Sequence, residues 1–216
     1  MVKRLAFLIY CGESDQYLPQ LQEVVAYLTE NLRVSTAGHL HAAVMLCFRV
    51  LLLRISAASL APLWYVFVPE IYSALWQLEQ EPEPNRLPQS RLDLYLAVFK
   101  LLDACVQLEE SQAALFHAYK WSLVGDPEDS LIGNHSSSGG QSSSTSGVFT
   151  PLVNRVCRRL CRLLSNGGLS STERSENGPG SDNKLGIQLP PPMHTCCQRL
   201  TLTRIASLQE LLPFLV

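Results

Sequence analysis

Charged residues are scarce in this chain of 216, at 17%, and their signs nearly cancel: 17 Lys plus Arg against 19 Asp plus Glu, a net charge of -2. No global basic field exists to hold a nucleic-acid backbone, so nucleic acid is not an expected partner. Aromatic residues are also few, at 8%. Long apolar runs are missing. Arg49, Arg54, Pro62 and Glu70 interrupt the candidates for the roughly 18 unbroken apolar residues that a membrane-spanning helix needs, so an integral membrane fragment survives only as an alternative. The seven cysteines are an odd number, and Cys47 and Cys105 sit in apolar runs where a free thiol behaves as a small hydrophobe. No disulfide scaffold is indicated. Nor is there a glycine loop of the phosphate-cradling types, and Gly12-Glu13-Ser14-Asp15 lacks the second glycine of a nucleophile elbow.

What the chain has in abundance is leucine, 38 residues within a hydrophobic fraction of 47%, enough for one sizeable core. Visible strand signals are few, so the expected fold class is all-α. The start, Lys3-Arg4 followed by seven apolar residues from Leu5 to Cys11, reaches the minimum for a signal-peptide core. No small-x-small triplet follows it. A buried first helix and a cytosolic compartment are therefore expected.

Composition divides the chain. Residues 1–125 are dense in apolar residues and poor in glycine, with 9 basic and 12 acidic side chains summing to -3, and form the expected helical segment. Residues 126–147 are a Ser/Gly-rich stretch whose ordering entropy its few apolar groups cannot offset, and 165–198 repeat that character with Gly178-Pro179-Gly180 and Pro190-Pro191-Pro192. Both are expected to be disordered inserts. Between and after them lie a basic amphipathic helix over 148–164 and a C-terminal helix over 199–216.

Within the first part, Leu18, Leu21, Val25, Leu28 and Leu32 follow steps of three and four, which puts them on one helix face. Leu40 to Leu53 is apolar apart from His41 and Arg49. Ser59 is the expected N-cap of the next helix, with Pro62 in its first turn and Pro69 kinking its middle. Phe48, Leu52, Leu63 and Phe67 are expected to point between these two helices. From Arg91 to Glu110, the residues Asp93, Lys100, Asp103, Gln107 and Glu110 gather on one narrow stripe, while apolar residues cover most of the rest. That helix has to be covered on two sides. Stacked helical hairpins, an α-solenoid of the HEAT or armadillo kind, meet the requirement; a four-helix bundle needs only one wide stripe per helix.

The segments Leu28-Thr29-Glu30-Asn31-Leu32-Arg33, Phe48 to Ser56, Leu63-Trp64 and Leu92-Asp93-Leu94-Tyr95-Leu96, in this order and spacing, resemble the C-terminal region of the Dopey family. The likeness covers about 5–125 and resumes over 200–215, at Leu202-Thr203-Arg204 and Leu211-Leu212-Pro213-Phe214. Family members usually carry proline after the Leu-Trp pair, where this chain has Tyr65. The resemblance implies a fragment, an isoform or a partial gene model of a very long peripheral membrane protein. It further implies a non-enzymatic scaffold role in protein traffic between endosomes and Golgi, on the cytoplasmic face of trans-Golgi and endosomal membranes. Its implied partners are a large Arf-exchange-factor-related Golgi scaffold and a lipid-flipping ATPase. It carries over no catalytic residue and no cofactor.

The sharpest local constellation is Arg155, Arg158, Arg159 and Arg162, at i, i+3, i+4 and i+7, with Leu152, Val153, Val156, Leu160 and Leu163 on the opposite half. Such a helix could anchor a peripheral lipid-binding module at an anionic membrane, each cation adding about 1 kcal/mol, or contact an acidic partner. The plainer expectation is a surface helix capping the helical stack. Cys157 and Cys161 lie one turn apart, and His194, Cys196 and Cys197 could complete a zinc set. Vicinal cysteines rarely both serve one zinc, and no metal is expected.

Overall fold

The computed structural model describes residues 1–83, 86–124, 150–166, 203–208 and 210–211, all helical or irregular, with no strand among them. Both Ser/Gly/Pro-rich stretches, 126–147 and 165–198, lie outside the described residues, apart from the last turn of a helix that runs on to Asn166. The helices are α1 (Val2–Cys11), α2 (Leu21–Val34), α3 (Gly38–Arg54), α4 (Ala57–Leu60), α5 (Trp64–Gln80), α6 (Gln89–Gln107), α7 (Ala114–Leu123) and α8 (Leu152–Asn166). The fold class is all-α, as the composition implies.

Local chemistry sets the helix ends. α1 stops at Gly12, whose extended backbone still donates its N–H to Leu8 O. Asp15 then takes a left-handed φ of 62°, a conformation that Asp tolerates better than most side chains. Its N–H donates to Arg54 O at 2.9 Å and its Oδ1 accepts from Ser56 N–H at 2.7 Å. Arg54 returns the contact by donating to Gly12 O and lying over the Tyr10 ring. The loop after α1 is thereby latched to the end of α3. This latch also shifts the next start: α4 begins at Ala57 after Ser56, and Ser59 lies inside it rather than capping a helix. Pro62 sits in the 3-10 turn that follows, and α5 runs through Pro69. Downstream, residues 203–207 are not helical, and 3-10 geometry appears only at 208 and 210–211, so no continuous helix fills the described part of 199–216.

Helix directions follow from paired residues. Lys3 and His39 line one groove while Tyr10 meets Arg54, so α1 and α3 are parallel. Gly38 abuts Ser90, and Lys100 feels the charge of Arg49, so α6 is parallel to α3. Phe48 meets Phe67 with ring centroids 4.6 Å apart, and Met45 shares a crevice with Ala74, which makes α5 antiparallel to α3. By the same reasoning α2 and α8 run with α5. The result is one row of α1, α3 and α6 backed by a second row of α2, α5 and α8, with α7 packed on α5, α6 and α8.

Burial fits this arrangement. α3 buries Ala43, Val44, Met45, Cys47, Phe48, Val50, Leu51 and Leu52, residues from around its circumference, because it touches α1, α2 and α6 as well as α5. α6 is covered on two sides by α3 and α5, and its stripe of Asp93, Lys100, Asp103 and Gln107 remains at least partly open. The four residues expected between α3 and α5, Phe48, Leu52, Leu63 and Phe67, are all buried. Trp64 extends the cluster by contacting both Phe67 and Phe116. At Gly38 an added Cβ would stand 2.5 Å from the Ser90 carbonyl oxygen, so the close approach of α3 to α6 requires glycine there.

Truncating either ring of the central pair removes packed volume that its neighbours cannot refill. Phe48→Ala or Phe67→Ala should therefore cost about 3–5 kcal/mol, a large share of the roughly 5–15 kcal/mol typical of a domain. A denaturant melt of each variant in detergent-free buffer checks this; a midpoint equal to the parent's would contradict the packed crossing.

Candidate functional site

The four arginines of α8 do not share one environment. Leu152, Val153, Val156 and Leu160 of α8 are buried, and the helix packs on α5 and α7. The arginines then divide. Arg155 turns inward, with Nη2 donating to Glu79 Oε2 at 3.2 Å and the guanidinium 5.7 Å from the Trp76 ring centroid. Its Nε lies 3.1 Å from Glu79 Oε1 without the alignment of a hydrogen bond. Arg159 donates to the Glu81 carbonyl at 2.8 Å, just past the end of α5, where exposed carbonyls and the helix dipole favour a cation. Arg158 and Arg162 are exposed, and Arg162 donates back to the Arg158 carbonyl at 3.2 Å.

Glu81 ties these parts together. Its carboxylate accepts from Arg91 at 3.2 Å and from the Tyr95 hydroxyl at 3.3 Å, while its carbonyl holds Arg159. Burial pushes the Tyr95 phenol up to about 12, with Arg91 opposing the shift and Glu81 adding to it. Sequence reasoning found the four arginines but not Trp76, Glu79, Glu81 or Arg91. A signal was present: the acidic run Glu79, Glu81 and Glu83 sits at a helix C-terminus, where carboxylates are unfavourable unless cations answer them.

A ring nitrogen of His41 is 2.5 Å from Ser35 O, and one of His117 is 2.9 Å from Leu108 O. Burial raises the Cys47 thiol to about 12 and the Cys105 thiol higher still. Cys157 rises to about 11 through burial and the adjacent Cys161, which favours thiol over the thiolate that a metal requires. Among the described residues no group of three or more His, Cys, Asp or Glu could hold a metal ion. His194, Cys196 and Cys197 lie outside them. No described helix is long and apolar enough to cross a membrane.

The described residues thus define an all-helical fold of two packed rows with grooves between the helices. Residues 1–138 match the family model described as DOP1 C-terminal, and the chain belongs to the DOP1, or Dopey, family. It is 34% identical over 131 residues to "Protein pad-1" of Caenorhabditis elegans, covering 57% of this chain and 5% of that protein. It is 32% identical over 148 residues to "Protein DOP1B" of Xenopus laevis, covering 57% of this chain and 6% of the relative. To "Protein DOP1 homolog" of Drosophila melanogaster it is 32% identical over 199 residues, covering 74% of this chain and 8% of the relative. The chain thus spans less than a tenth of the length of these relatives. No solved structure matches it.

Because Arg155 is committed to α5 and Arg158 is not, their truncations should separate. Arg155→Ala should lower unfolding free energy by about 1.5–3 kcal/mol, the range for hydrogen bonds to charged groups, and Arg158→Ala should stay within about 0.5 kcal/mol of the parent. Urea melts of both variants test the docking of α8. Equal stability of the two would contradict it.

Proposed function

We propose that this chain is a non-enzymatic scaffold segment of a peripheral membrane protein acting in traffic between endosomes and Golgi. The observation that carries the reading is the family match over residues 1–138. The arrangement supports it. Helices of each row run in one direction, opposite to the other row, and this supports a reading as stacked helical hairpins of the HEAT or armadillo kind. Such stacks recognise partners through extended faces rather than through a reactive centre. The partners we propose are a large Arf-exchange-factor-related Golgi scaffold and a lipid-flipping ATPase, on the cytoplasmic face of trans-Golgi and endosomal membranes. Arg158 and Arg162 are the basic residues of α8 left to meet an acidic partner or an anionic membrane surface. The inward commitment of Arg155 and Arg159 argues against the whole arginine face being a lipid anchor.

Fractionation of cells expressing the tagged full chain tests this. The chain should sediment with Golgi and endosomal membranes, leave them at alkaline pH in carbonate, and co-precipitate with the proposed scaffold. A wholly cytosolic distribution would contradict the proposal, and retention after carbonate would favour an integral fragment. Release by moderate salt that Arg158→Gln with Arg162→Gln reproduces would favour an arginine anchor.

A further inference from the structure

A tryptophan in a packed interior usually finds an acceptor for its indole N–H, because a buried donor left unpaired has given up water for nothing. Trp64 breaks this pattern. Only 2% exposed, it packs edge-on to Phe67 and beside Phe116, rings that bring no oxygen to it. Its Nε1–H is buried and has no hydrogen-bond partner among the described residues. The same residue lines a groove of about 560 Å³ between the α4–α5 corner and α7. Ala57 and Ala61 line it from one side and Ala114 and Ala118 from the other, so small side chains keep it open. Tyr65 also lines it and is 72% exposed, an aromatic ring held against water beside an apolar trough. None of the described residues lining the groove is charged.

These features select the chemistry of an occupant. Without a charged side chain, the groove offers an ion nothing. A helix would arrive with its carbonyls already bonded and leave the indole N–H unanswered. A polyproline segment differs on both counts. Its extended backbone makes no internal hydrogen bonds, so its carbonyls are free to accept, and proline has no N–H to bury unpaired. Grooves that take such segments are lined by aromatic rings.

We propose that this groove is the docking site of the chain's own run Leu189-Pro190-Pro191-Pro192-Met193, with one carbonyl of the run accepting from Trp64 Nε1–H and proline rings packed on Tyr65. The run lies outside the described residues, between Asn166 and Thr203. Its reach is sufficient. Ile205 is fixed at the start of α6, where Gln89 Nε2 donates to its carbonyl at 3.0 Å, and the groove opens past the end of that helix, at Ser111 and Gln112. The twelve residues from Met193 to Ile205 can span about 40 Å, against about 27 Å of helix between Gln89 and Gln107. This inference stands on the groove and is independent of the trafficking role.

The chain has three tryptophans, so nuclear magnetic resonance of the isotope-labelled full chain shows three indole N–H signals, assigned with Trp76→Phe and Trp121→Phe. Replacing Pro190, Pro191 and Pro192 together by serine should move the Trp64 proton signal upfield, the direction of a lost hydrogen bond, and leave the other two in place. Excess synthetic peptide Leu189–Met193 should return it. Ala118→Glu, an exposed substitution that fills the groove from α7, serves as the second variant: it should move the Trp64 signal in the same way, with no return on adding peptide. An unmoved Trp64 signal in the serine variant overturns the proposal, as does equal movement of all three, which would show a general rearrangement. A Trp64 signal in the parent that moves on dilution also overturns it, by assigning the groove to the run of a second copy.

Discussion

The structure depends on the burial of α3. Its sequence from Leu40 to Leu53 leaves only a narrow polar margin, and a helix that is apolar nearly all round must be enclosed. α1 and α6 close its flanks, while α2 and α5 close its back. The crossing of Phe48 over Phe67 fixes the depth at which α3 and α5 meet, and Trp64 carries the same cluster on to Phe116 of α7. Once α3 sits between parallel neighbours, the two-row order follows. The contact of Gly38 with Ser90 then sets how close α6 can come.

That order places charge as well as apolar surface. The second row ends in a cluster of acidic residues at the C-terminus of α5, an unfavourable position on its own. Arg91 from α6 and Arg155 and Arg159 from α8 answer it. Glu81 therefore joins three helices at one residue. The first row gathers N-terminal ends, Lys3 and His39 at the opposite kind of pole, with Arg204 brought in from the C-terminal stretch. Parallel helices in each row thus give the molecule one carboxylate-rich junction closed by its own arginines and, between α3 and α6, a groove lined by apolar side chains together with Lys3, Arg49, Asp93, Lys100 and Arg204.

Periodicity made the helices readable, since steps of three and four in α2 and the near-complete apolar circumference of α6 are local properties. The choice of Phe48 and Phe67 as facing rings was also readable, because each lies on the most apolar line of its own helix. Long-range chemistry was less so. Arg155 and Glu79 are 76 residues apart, and nothing in the spacing of the four arginines says which of them has a carboxylate waiting. Ser59 has the chemistry of a cap, yet the Asp15 latch on Ser56 moves the helix start earlier. Leu202 to Val216 has the leucine content of a helix, whereas its described residues include an irregular stretch through 203–207 with Ile205 and Leu208 buried. The groove between α3 and α6 was invisible in one dimension, because Lys3, Arg49, Lys100 and Arg204 belong to four distant segments.

Native-state amide hydrogen exchange tests most directly whether α3 is the enclosed centre of two rows. The account predicts that interior amides of α3, α5 and α6 exchange only by global unfolding, with one common free energy, while those of α1 and α8 open at lower cost. Exchange of α3 through a separate opening of lower free energy than α1 or α8 would contradict it.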